Sequence, residues 1–106
     1  MIIKFYNKDT LETTIYADYK TQSVKIENHT NDTIHLAFGI NKEPNWTDFE
    51  EFLEDRCPPR TRQNIKEVLQ SLDLPYYDPV AICEKTKGRI VEDNSWMDID
   101  WENERD

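Results

Sequence analysis

Short apolar and β-branched stretches broken by polar turn clusters make up the first forty residues, and apolar positions recur at helical spacing after Pro44. Thirteen of the first 40 residues are Ile, Val or Thr, which suit a pleated and half-buried surface. Turn-forming clusters at Asn7-Lys8-Asp9, Asp18 to Gln22 and Asn28 to Asp32 divide this stretch. Four strands are predicted: Ile2 to Tyr6, Leu11 to Ala17, Ser23 to Glu27 and Thr33 to Phe38. The alternation is cleanest in Ser23-Val24-Lys25-Ile26-Glu27, where Val24 and Ile26 face a core and the charges face water. A meander of this kind has one dry face, and that face needs a cover.

The residues after Pro44 predict that cover. Thr47 stands three residues before Glu50, the spacing of a capping box, and Phe49, Phe52 and Leu53 then recur at helical spacing. This gives a helix over about 47–56. Cys57-Pro58-Pro59 ends it and opens a second helix over 59–72, because proline is tolerated in a first turn and not deeper. Ile65, Val68, Leu69 and Leu72 form the apolar stripe of that helix. Asp78-Pro79 starts a third, over 79–87, which stops at Gly88 after Lys85 and Lys87. Strands followed by helices predict an α+β fold, a four-stranded antiparallel β-meander (residues 1–40) covered by three short helices. Residues 1–106 form one domain, with a sheet half at 1–45, a helical half at 46–91 and a segment of different character at 92–106.

That last segment alternates strictly from Met97 to Trp101, with Asp98 and Asp100 between apolar residues, and so predicts a short acidic C-terminal strand. Residues 92–106 hold seven carboxylates against Arg105, a net −6 out of the chain's −9. Carboxylates held on an ordered element would compete for a basic groove that normally receives a phosphate backbone, which is how a DNA mimic works. Same-face strand residues lie about 6.6 Å apart, coarser than the roughly 3.4 Å between phosphates, so flanking residues must fill in. The candidate partner-binding residues are Asp98, Asp100, Trp96, Trp101, Glu102 and Glu104. The two tryptophans read either as anchors in that surface or as core residues of a last strand.

A second candidate is the cationic group Arg56, Arg60, Arg62 and Lys66. Arg60 and Arg62 fall in the first turn of the predicted second helix, where the dipole disfavours each by about 0.3–1 kcal/mol. Their compensating partners are either Glu51, Glu54 and Asp55 of the same chain, or an RNA phosphate or acidic protein patch outside it.

The balance of 22 acidic to 13 basic residues argues against general nucleic-acid binding and against direct sequence-specific DNA binding. With 37% hydrophobic residues the core must be small, although three Trp, five Tyr and four Phe raise the area each core residue buries. No apolar run nears the roughly 20 residues that span a bilayer, and the first residues lack the layout of a signal peptide, so a cytoplasmic protein without a membrane partner is expected. Cys57 and Cys83 lack the spacing of a zinc site and read as small buried hydrophobes. His29 and His35 have no indicated third partner for nucleophilic catalysis. Asp98-x-Asp100-x-Glu102 lacks the glycine of a calcium loop, and Gly39 and Gly88 alone cannot cradle a phosphate. The expectation is a non-enzymatic binding protein with no metal or cofactor. An unpaired edge of the predicted meander would support a symmetric homodimer.

Two runs of the helical half carry a resemblance: Phe52-Leu53-Glu54-Asp55-Arg56-Cys57-Pro58-Pro59-Arg60-Thr61-Arg62 continuing to Leu69, and Leu74-Pro75-Tyr76-Tyr77-Asp78-Pro79 continuing to Arg89, followed by an acidic pair and Trp96. Over about residues 50–97 the chain resembles a family of small acidic proteins from Gram-positive bacteria and their mobile elements. The resemblance implies either a type II-A anti-CRISPR protein that binds the RNA-guided nuclease, or an antitoxin-like or regulatory partner of a kinase-type toxin. In the first case the inhibitor blocks DNA engagement through its acidic segment or guide-RNA engagement through Arg60 and Arg62.

Overall fold

The computed structural model describes residues 1–101. Strands β1 (Ile2–Asn7), β2 (Thr10–Asp18) and β3 (Ser23–Asn28) follow one another, then helices α1 (Trp46–Asp55), α2 (Ile65–Ser71) and α3 (Pro79–Thr86), and finally strand β4 (Ser95–Asp100). The four strands form one antiparallel sheet in the order β3-β2-β1-β4. The expected α+β architecture is therefore present, with a different fourth strand.

Thr33 to Phe38 is not a strand; its residues form successive turns. Asp32 bends the chain there, its carboxylate accepting from the Ile34 N–H at 3.2 Å and lying 2.8 Å from His35 Nδ1. The segment then leaves the sheet and crosses its inner face. Ala37 N–H donates to Thr13 Oγ1 at 3.2 Å, and the Phe38 ring lies 5.2 Å from that of Phe52. The vacant sheet position is filled at the opposite edge by β4, whose apolar residues match the inner face of β1: Ile3 lies opposite Ile99 and Phe5 opposite Met97. One irregularity interrupts the β1–β2 ladder. Phe5 pairs with Thr13 but Tyr6 with Leu11, leaving Glu12 as a bulge residue.

Helix α1 is capped two residues earlier than the sequence spacing suggests. Asn45 Oδ1 accepts from Asp48 N–H at 2.8 Å while the Asp48 carboxylate accepts from Asn45 N–H at 2.9 Å, so Asn45 and Asp48 form the capping box in place of Thr47 and Glu50. The predicted second helix loses its first turn. Residues 59–64 are irregular after the double proline, so Arg60 and Arg62 precede the helix instead of opening it. Helix α3 matches expectation: Asp78 caps it, Pro79 opens it, and Lys87 and Gly88 leave it at φ of 59° and 64°.

Helices α1 and α3 lie on the inner face of the sheet, and α2 packs Leu69 and Leu72 against the margin of the same core. Ile3, Phe5, Ile15, Ala17 and Met97 meet Phe49, Phe52 and Leu53 of α1 and Ile82 and Cys83 of α3 in one buried cluster. Each large side chain fully buried here contributes about 1.5–3 kcal/mol. Phe5 and Phe52 meet edge to face at 5.3 Å, the arrangement that aromatic quadrupoles favour. The stripe of α2 is only half-buried, and none of its residues joins the fully buried set.

Candidate functional site

Strand β4 places its residues on two faces. Ser95, Met97 and Ile99 turn toward the helices, and Trp96, Asp98 and Asp100 turn toward the outer face, which no helix covers. Trp101 continues the inner row. Its ring stacks on Tyr19 at 5.8 Å, and Tyr19 in turn meets Trp46 edge to face at 4.7 Å. Trp101 therefore closes the end of the core, and only Trp96 shares a face with the two aspartates. Glu102 and Glu104 lie outside the described residues.

On the outer face Trp96 is held from two sides. Tyr6, its cross-strand neighbour, stacks on it with centroids 4.3 Å apart and planes within 8°. The Arg89 guanidinium carbon lies 5.2 Å from the indole centroid and Lys87 Nζ lies 5.9 Å away. The indole N–H donates to the Lys8 carbonyl at 2.7 Å. Two residues on, Asp98 pairs across the strand with Lys4, and Asp100 with Ile2. The surface is thus bipolar, with cations and stacked rings at the Trp96 end and carboxylates at the Asp98–Asp100 end. Lys4 offsets part of the negative field of Asp98, since directly opposite charges in a ladder attract. A sequence reading gives Lys87 to the last turn of the third helix and leaves Arg89 beyond its stop, and only the left-handed exit at Lys87 and Gly88 sets both against β4.

Arg60 and Arg62 are not part of this face. Arg60 is in the connection between α1 and α2, where its Nη2 is 2.9 Å from Glu54 Oε1 and its guanidinium lies 4.3 Å from the Tyr77 centroid. Arg62 Nε donates to Asn64 Oδ1 at 2.8 Å. Both arginines are exposed, and the partners these contacts give them belong to the chain itself. The structure does not bring them together with the aspartates of β4.

Arg56, grouped with them by sequence, has a different position. It is buried, and its fork donates to Gly88 O (2.9 Å), Ser95 O (2.9 Å) and both oxygens of Asp93 (2.7 and 3.0 Å). This hydrogen bonding holds the Asp93 carboxyl below the usual carboxylate range. The Cys57 and Cys83 sulfurs are 3.7 Å apart in the core, and the hydrogen bond between them together with burial pushes the Cys83 thiol up, away from the nucleophilic thiolate. His35 bonds Asp32 within one exposed turn, and His29 Nε2 lies 2.8 Å from Thr14 Oγ1. The first contact closes a turn, and the second ties the residue after β3 to β2. Among the described residues there is no group of three His, Cys, Asp or Glu side chains that could hold a metal ion, and no helix is long and apolar enough to cross a membrane.

Arg56, Gly88, Asp93 and Trp96, which lie within the span of the resemblance, all make contacts that hold β4 in place. No family of known proteins, no curated protein and no solved structure matches the chain.

Proposed function

We propose that the protein is a non-enzymatic binding protein that docks through the outer face of β4 on a basic surface of its partner, and that the partner is the RNA-guided nuclease of a type II CRISPR system. The observation that carries the reading is the order of β4: Asp98 and Asp100 sit on a strand hydrogen-bonded into the sheet, beside an aromatic platform, and not on a solvated tail. Charges fixed in place lose little side-chain freedom on docking, so more of their attraction appears as affinity. Such a nuclease holds nucleic acid in positively charged channels, which complements a chain of net −9. The choice of this partner rests on the resemblance of residues 50–97 to the mobile-element proteins.

Gel filtration of the purified protein with the nuclease, with and without guide RNA, tests the reading. Co-elution, loss of DNA cleavage, and weakening of both by Asp98→Lys with Asp100→Lys are the expected results. Separate elution with undiminished cleavage excludes it. Because the contact is electrostatic, the complex is expected to weaken as salt rises from low ionic strength.

A further inference from the structure

The two edges of the sheet are treated differently. At the β4 edge, Met97 N–H points outward and donates to Lys87 O at 2.7 Å, so the segment leaving α3 covers that strand. At the β3 edge no such cover is present among the described residues. His29 N–H donates to Glu12 O at 2.9 Å, which fixes the phase of the β2–β3 ladder: Thr14–Glu27, Tyr16–Lys25 and Asp18–Ser23 are its bonded pairs. The N–H and C=O groups of Val24, Ile26 and Asn28 consequently point away from β2. None of them makes a backbone bond outside the ladder among the described residues. The strand carries no proline and no bulge, two of the devices that blunt an edge, and its charges, Lys25 and Glu27, are of opposite sign.

We propose that a second copy of this chain pairs with β3, antiparallel and about a two-fold axis at Ile26, joining two four-stranded sheets into one. The side-chain pattern selects both the partner and the register. A two-fold through Ile26 sets Val24 opposite Asn28 and Ile26 opposite itself, so all three outward-pointing backbone groups of each copy are bonded. The same axis sets Lys25 opposite Glu27 twice, on the exposed outer face, in the closer non-bonded positions of the ladder. Sliding the pairing one step either way places Lys25 against Lys25 or Glu27 against Glu27. Like charges directly opposite are unfavourable, so the strand is complementary to itself in this register and in neither neighbour. Val24 and Ile26, half-buried at the rim of the core, would be covered on the inner face. The net −9 of each chain opposes association, but at about 0.15 M salt that repulsion is screened beyond about 8 Å while the strand contacts are not. The dimer is independent of the nuclease reading, because β3 and β4 are opposite edges.

Sedimentation equilibrium of the full chain at about 0.15 M salt, up to about 1 mM, tests it over the affinity range of small interfaces. The mass is expected to rise with concentration from 12.7 kDa toward twice that value. Lys25→Glu and Glu27→Lys each place two like-charge pairs at the interface and are expected to weaken the dimer about tenfold. The double variant restores opposite charges with exchanged signs and is expected to return affinity close to the original. Both positions are exposed, and unchanged melting temperatures verify that the variants fold. A mass that stays at one chain across the range overturns the proposal, as does a dimer indifferent to the single reversals or one not rescued by the double variant.

Discussion

Arg56 grips Asp93 through two parallel bonds of 2.7 and 3.0 Å, joining the end of α1 to the approach of β4 across 37 residues of chain. The same guanidinium satisfies the carbonyls of Gly88 and Ser95, so one side chain fixes the exit of α3 and the start of β4 together. Replacing it by alanine leaves both carbonyls unpaired in a buried site. Arg56→Ala is expected to cost about 2–4 kcal/mol. Arg56→Lys keeps the charge but lacks the planar fork and is expected to lose about half as much. Thermal denaturation followed by circular dichroism measures both; a melting temperature unmoved by Arg56→Ala would contradict the role given to this contact.

The Asp93 carboxyl is held below its ordinary range by the Arg56 bond first, with the Ser95 N–H adding to it. A group whose pKa is depressed on folding contributes stability above its unfolded value, about 3.9, and loses that contribution as pH falls through the folded value. Asp93→Asn is therefore expected to lower the melting temperature near neutral pH and to flatten its fall below about pH 4. Melting curves of the two proteins should converge in acid. Curves that stay parallel down to about pH 2 would show that the pair does not titrate as described.

Two truncations separate the structural part of the acidic segment from any binding part. Ending the chain at residue 91 removes β4 and with it the cover of Ile3 and Phe5, so cooperative unfolding is expected to vanish. Ending it at Trp101 keeps the strand and the Trp101–Tyr19 stack, and the thermal transition is expected to survive. If the shorter chain melted as cooperatively as the longer one, β4 would not be part of the core.

Gly88 has a φ of +64°, and a Cβ there would meet Met97 Cε at 2.5 Å and Cγ at 3.0 Å. Met97 is 1% exposed and has little space into which to turn. Gly88→Ala combines an unfavourable backbone region with overpacking and is expected to cost about 1–3 kcal/mol in denaturant melts. In a double-mutant cycle Gly88→Ala should cost less in the Met97→Ala background than beside Met97, and an equal cost in both would assign the whole of it to φ.

The paired thiols give a prediction by reactivity. Cys57 and Cys83 are 7% and 0% exposed, and the Cys83 thiol is pushed away from its thiolate. Thiol titration with an aromatic disulfide reagent is expected to be slow in the native protein and fast in denaturant. Rapid native labelling would mean that the α1–α3 contact opens.

Much of the fold could be read from residue order, and the exceptions share a cause. Val24 and Ile26, the Asp78-Pro79 start and the Met97-to-Trp101 alternation each state a local preference that the structure keeps. Thr33 to Phe38 offers β-branched residues without a turn-to-strand match, and the Asp32 carboxylate has a stronger local use for the chain. A helix beginning at Arg60 and Arg62 is expected because proline permits a first turn, yet the chain instead closes two separate turns there, Arg62 N–H to Pro59 O and Ile65 N–H to Arg62 O, before the helix starts. The candidate site was half legible. The two faces of β4 come from a period of two, whereas the cations around Trp96 depend on where the chain goes after Gly88, which no local pattern encodes.

Trp96 reaches back 88 residues to bond the Lys8 carbonyl, and β1 cannot finish its ladder until that late strand has been synthesised. At bacterial or eukaryotic elongation rates the interval is roughly 4–18 s. Throughout it the nascent β1–β2 hairpin displays Ile3 and Phe5 beside a row of unsatisfied amides, which is adhesive both to chaperones and to other emerging chains. Substitutions that slow the docking of β4 should therefore reduce the amount of protein recovered from cells more than its equilibrium stability would suggest.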